Sequence, residues 1–147
     1  MMAEPSLYHL SLYVKRIGRQ ISDQSAKYVK AAARAVLVDL AKVTPVDTSL
    51  AVSNWTVGIG YSPVNLIPPH VPGTKGSTAA ASRAQTLAYG RQLINQYKSR
   101  QVLHISNNID YITLLNQGHS PQASAGFVER AVMKGNLATK KVKLILK

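Results

Sequence analysis

The stretch from Ile21 to Val43 limits what this chain can fold into more than any other. At 100° per residue, Val29, Ala33, Val36, Leu40 and Val43 fall within about an 80° arc, while Asp23, Lys27, Lys30 and Arg34 gather roughly 100–160° away. That pattern predicts a helix with one side for a core and the other for water or a partner. Ser22 or Asp23 is placed to cap it, with Ile21 as a staple. Pro45 stops it, because the proline ring disfavours helical geometry at Thr44.

The rest of the chain reads as shorter elements. Leu7 to Ile17 alternates through Tyr8, Leu10, Leu12 and Val14; it fits a strand or a short helix, with Gly18 marking its end. Pro45 to Ser49 is a turn in which Asp47, Thr48 and Ser49 offer oxygens to turn amides. Leu50 to Ile59 alternates as a strand, with Ser53, Trp55, Val57 and Ile59 on the inward face and Asn54 and Thr56 opposite. Tyr61 to Ser82 holds Pro63, Pro68, Pro69 and Pro72, then Gly73 and Gly76, and reads as a long loop or extended arm. A helix is expected over Ser82–Tyr97, a strand over Gln101–Ser106, and a short helix over Ile109–Asn116 with Gly118 at its end. Ser124 is placed to cap a helix over Ala125–Met133. Gly135-Asn136 could break that helix or lie within its continuation, and Lys141–Leu146 partly alternates like a strand. The expected class is α+β: one domain over 1–147, a small antiparallel sheet packed against two main helices, with a long proline-rich loop.

Composition narrows the function classes. A chain of 147 residues can bury roughly two-thirds of its unfolded surface, so it needs no staples. There are no cysteines, which excludes disulfides and thiolate metal sites. No apolar stretch approaches the roughly 20 residues of a membrane helix. The start, Met1-Met2-Ala3-Glu4-Pro5, lacks the basic and apolar blocks of a signal peptide. These features point to a protein made in the cytoplasm with no membrane partner. Eighteen Lys and Arg face six Asp and Glu, for a net charge of +12. Such a field favours nucleic acid or an acidic protein surface.

No pattern of residues announces catalysis. His9, His70, His104 and His119 are scattered, with no H-x-x-x-H or H-E-x-x-H spacing, so no metal or cofactor is expected. Asp110, His119 and Ser120 imitate a triad on paper, but Ser120 lacks a G-x-S-x-G elbow. Gly73-Thr74-Lys75-Gly76-Ser77 has phosphate-loop composition without the spacing. The cations are more suggestive. Arg83 and Arg91 lie along the middle helix, and Lys134, Lys140, Lys141, Lys143 and Lys147 crowd the basic segment 134–147 with no acid after Glu129. They suit phosphate contacts without sequence readout.

Two short signatures remain. The first is Thr44-Pro45-Val46-Asp47-Thr48, closing with Asn54-Trp55. The second runs through Ser106-Asn107-Asn108, Tyr111, Leu115-Asn116, Gly118, Ser120, Gln122-Ala123 and Gly126-Phe127-Val128-Glu129. In this order they resemble the small neck, tail-completion and tail-terminator proteins of tailed bacteriophages. The chain departs from that family's pattern at Ser49, where Gly is usual, at Leu50 and Val52, where Arg is common, and at Ser124, where Pro is common. The resemblance implies a structural virion subunit and no enzyme: a homo-oligomeric ring, six-fold or twelve-fold, in the neck or at the head-proximal end of the tail. It would join the head connector to the tail tube, with genome DNA nearby. Asn107-Asn108 and Asn116-x-Gly118 read as turn and cap chemistry, and the resemblance also implies that this cluster lies near subunit contacts. Pro68, Pro69, His70, Pro72 and Lys75 would then form an inter-subunit arm. The alternative reading is a nucleic-acid-binding accessory protein that uses its basic surface.

Overall fold

The computed structural model describes residues 7–140 and 142 and, within the first helix, side chains from residue 23 onward. Its spine is α1 (Leu7–Val43), 37 residues long, or about 55 Å at 1.5 Å per residue. After it come α2 (Leu50–Ser53), β1 (Thr56–Ile59), α3 (Ala79–Asn95), β2 (Leu103–Ser106), α4 (Ile112–Asn116) and α5 (Phe127–Thr139). The strands form a two-stranded antiparallel sheet in which Thr56 faces Ser106 and Ile59 faces Leu103. The class is α+β. Two helices lie along α1: α5, which packs on it most extensively, and α3, which also covers β1. The sheet packs against α1 and α3, while α5 packs on α1.

The core gathers Leu37 and Leu40 of α1, Trp55 and Val57 beside and within β1, Ile94 of α3, and Phe127 and Ala131 of α5. Each large apolar side chain buried this way contributes about 1.5–3 kcal/mol. Leu37 is completely buried although it lies outside the apolar arc read from the sequence, because α3 packs against a second flank of α1.

Several expectations change. The helix neither ends at Gly18 nor begins at Ser22 or Asp23, since α1 runs unbroken through all three. One interior glycine costs only about 1 kcal/mol against alanine, and a potential cap cannot start a helix where the chain is already helical. Leu50 to Ser53 is a helical turn, not strand. Val52, Ser53, Asn54 and Trp55 are all buried, so no two-faced alternation exists there. The strand begins at Thr56, and Asn54 points inward. Helix α3 starts at Ala79 and shortens the loop to 61–78. Helix α5 begins at Phe127 behind Gly126 and runs through Gly135 to Thr139.

The seam of α3 is small and polar: Ser82, Thr86, Gly90 and Ile94 are its buried residues. Thr86 Oγ1 donates to Val52 O at 3.0 Å and Ser82 Oγ to Val71 O at 3.1 Å. A side chain at Gly90 would run into Leu37 and meet Val57. At its far end, Asn95 O accepts from Lys30 Nζ at 3.2 Å, and Asn95 Oδ1 from Arg34 at 2.9 Å. Those α1 cations complement the negative end of the α3 dipole.

Candidate functional site

The two signatures, more than 50 residues apart in the chain, meet in space. The Gln122 amide is the joint. Val46 N–H donates to its Oε1 at 2.9 Å and its Nε2 donates to Val46 O at 3.1 Å, so one side chain pairs with backbone as a strand would. Asn107 makes a second joint, donating from Nδ2 to Ala51 O at 2.8 Å while its Oδ1 accepts from Ile109 N–H at 3.1 Å. Between the segments lies a cleft of about 350 Å³ lined by Pro45, Val46, Asp47, Thr48, Tyr111, Leu115, His119, Ser120 and Gln122.

The first signature owes its shape to Ser49, which sits at φ 74°, the left-handed region glycine favours. The turn thus keeps a glycine-type geometry without glycine. Ser49 is fully buried, and its hydroxyl shares a hydrogen bond with Thr78 Oγ1 at 2.9 Å. Thr44 Oγ1 donates to Leu40 O at 2.6 Å and accepts from Trp55 Nε1 at 2.8 Å, so Trp55 is buried with its one polar atom satisfied. Asp47 serves a distant partner rather than the turn amides expected of it: Oδ1 accepts from Lys75 N–H at 2.6 Å, and its main-chain O accepts from Gly76 N–H at 2.9 Å.

In the second signature Asn116 organises the start of α5. Its main-chain O accepts from Gly126 N–H at 2.7 Å and its Oδ1 from Val128 N–H at 2.9 Å, while Nδ2 reaches both Glu129 oxygens at 3.0 Å. That hydrogen bond holds the Glu129 carboxyl below its ordinary pKa. Asn116 therefore satisfies a donor of the first helical turn from outside the helix, the task expected of Ser124. Ser124 instead accepts from Arg130 at 2.9 Å. Gly118 and Gly126 both have positive φ, at 91° and 81°, and Phe127 is buried in the core.

The cleft carries little chemical machinery. Ser120 Oγ accepts from Gln122 N–H at 3.2 Å. No hydrogen bond joins His119 to Ser120 or Asp110 among the described residues, and Asp110 is not part of the lining. The Tyr111 phenol titrates above its ordinary value, first through burial and then through the nearby charges of Asp110 and Asp47. No group of His, Asp and Glu able to hold a metal occurs among the described residues, and none of their helices is long and apolar enough to cross a membrane. No protein family, curated protein or solved structure matches the chain.

The remaining expected residues sit apart from the cleft. The stretch 67–78 of the loop is tied to its own subunit. Asn54 holds Ile67 through both N–H and C=O at 2.9 Å, Ser53 Oγ accepts from His70 N–H at 2.9 Å, and Ser82 Oγ from Val71 N–H at 3.1 Å. Pro68, Pro69, His70, Pro72 and Lys75 belong to this pinned stretch. The His70 ring lies 5.2 Å from that of Tyr89, and burial lowers its pKa. Among the cations expected to bind phosphate, Lys134 has a partner within its own chain: its Nζ pairs with the buried Asp39 at 2.5 Å, because α5 lies along α1. Arg83 is half-buried, Arg91 and Lys140 are exposed, and Lys141 and Lys143 lie outside the described residues. Of the buried polar residues, Ser53 was read as inward, while the burial of Ser49, Ser82 and Thr86 escaped the sequence reading. Serine, threonine and glycine at 82, 86 and 90 was the available signal, a four-residue spacing without hydrophobicity.

Proposed function

We propose that this chain is a structural subunit of a tailed-bacteriophage virion, forming a ring in the neck or at the head-proximal end of the tail and joining head connector to tail tube. The observation that carries the reading is the meeting of the two signatures. The residues that resemble the phage family form one hydrogen-bonded joint through Gln122–Val46 and Asn107–Ala51. A motif pair that shapes a joint suits a subunit whose work is binding. Ring closure then limits the assembly, and repeated contacts supply its stability.

Subunit contact has a candidate surface. Tyr61, Val64 and Leu66 are 63%, 77% and 58% exposed on the part of the loop that precedes its Asn54 clamp. Exposed apolar groups grouped in this way mark interaction sites. The net charge of +12 supports an acidic neighbouring ring or passing DNA as partner. Negative-stain imaging of the concentrated protein tests the proposal. Closed rings are expected, and Val64→Asp with Leu66→Asp should disperse them while circular dichroism stays unchanged. Dispersed monomers that bind DNA tightly and with a steep salt dependence would favour the nucleic-acid-binding reading instead.

A further inference from the structure

Two uncharged apolar features stand on the described surface. One is the loop segment carrying Tyr61, Val64 and Leu66, exposed ahead of the Asn54 clamp. The other is an open groove of about 420 Å³, lined by Val29 and Val36 of α1, Leu103 and Ile105 of β2, and Val132 and Asn136 of α5. No charged side chain lines the groove, and no Asp, Glu, Lys or Arg occurs between Asp47 and Lys75.

The sheet separates them. Thr56 pairs with Ser106 and Gly58 with His104, so these four residues share one face, while Val57, Leu103 and Ile105 share the other. The loop folds over the first face. Ser106 Oγ donates to Pro63 O at 3.2 Å, Asn108 Nδ2 donates to the same oxygen at 2.7 Å, and a Cβ at Gly58 would run into Tyr61 O and the Pro63 ring. The groove opens on the second face, where α1 and α5 complete its lining. Held at Pro63 and again at Ile67, the segment cannot reach round the sheet to its own groove.

We infer that the loop segment of one copy seats in the α1–β2–α5 groove of the next, with Val64 and Leu66 inserted and Tyr61 at the rim. A protrusion on one face and its receptor on the opposite face make a heterologous, head-to-tail contact, which closes into a ring or runs on as a filament. Charge favours a second copy as the occupant. Two copies at +12 repel each other over most of their surface, and a contact without charges on either side is where they approach at least electrostatic cost. Burial of the exposed apolar groups then drives association. This inference rests on the reading of the chain as a ring subunit and names the contact that builds the ring.

Complementation between two variants, followed by sedimentation velocity, tests it. Val64→Asp with Leu66→Asp disables the protrusion, and Val132→Asp, at a groove position 49% exposed, disables the receptor. Asn136→Arg obstructs the same groove from another exposed position and replaces Val132→Asp if that variant alters the circular dichroism spectrum. Each variant alone should stay monomeric at concentrations roughly tenfold or more above those at which the unaltered protein assembles, because the contact would bury an unpaired charge. Mixed in equal amounts, the two should form a heterodimer through the one intact contact and grow no further. A groove variant that assembles like the unaltered protein, or a mixture that stays monomeric, overturns the inference. Rings that survive the groove substitutions keep the ring reading and remove this contact. Open filaments of the unaltered protein, together with a heterodimeric mixture, keep the contact and remove the ring reading. An unaltered protein that never assembles overturns both.

Discussion

Ser49 and Trp55 show how much of the first signature is devoted to shape. Ser49 holds a left-handed backbone that costs a residue with a Cβ about 1–2 kcal/mol, and its hydroxyl offsets part of that through Thr78. Ser49→Gly and Ser49→Ala both lose the hydrogen bond, but only alanine retains the steric penalty. Chemical denaturation should therefore find the alanine variant less stable than the glycine variant by about 1 kcal/mol. Equal stabilities would mean that the turn relaxes out of the left-handed region. Trp55 is a buried anchor whose indole N–H is bonded to Thr44. Trp55→Ala should cost about 3–5 kcal/mol in the same assay, and a near-unchanged melting temperature would place the ring outside the core. The sequence marked Trp55 as inward correctly and Asn54 as outward wrongly. An amide that clamps a loop thirteen residues ahead looks, in the sequence alone, like any polar residue on a strand.

Among the elements, the body of α1, the pairing strand Thr56–Ile59 and the strand Leu103–Ser106 were legible, because apolar periodicity and the stop at Pro45 are local signals. The extent of α1, the polar seam of α3 and the continuation of α5 through Gly135 were not. Each depends on a neighbour that periodicity cannot name. Gly135 makes the point. A glycine within a helix ordinarily loses about 1 kcal/mol to alanine, so Gly135→Ala would stabilise an isolated α5. Here a Cβ would come within 2.5 Å of Val36 Cγ2 and 3.1 Å of Ala32 O. Valine is stiff at χ1 and backbone does not rotate away, so α5 would have to lift from α1. Gly135→Ala should accordingly destabilise the protein by about 1–3 kcal/mol, read by thermal denaturation. A stabilised variant would mean that the two helices are not packed this closely. The joint between the signatures was likewise invisible as a contact: each half was readable as turn and cap chemistry, but only the fold brings Gln122 onto Val46.

For the whole molecule, the charge of +12 is the property that folding leaves least neutralised, with Lys134 the one cation seen in an ion pair among the described residues. Replacing Lys140, Lys141 and Lys143 with Gln should leave the melting temperature almost unchanged, since the sequence around them offers no acid to pair with and surface ion pairs contribute little to stability. The same triple variant should weaken assembly with an acidic neighbour or DNA, most visibly at raised salt, where screening over ~8 Å already thins the remaining attraction. Loss of folding in that variant would mean the lysine stems pack on the body. The central claim is that this chain assembles rather than catalyses or binds alone. Native mass spectrometry of the protein across a range of concentration and salt tests it most directly. The account predicts a discrete species at six or twelve times the 15.9 kDa subunit mass, with few intermediates because ring closure is cooperative. A monomer at every concentration and salt would contradict it.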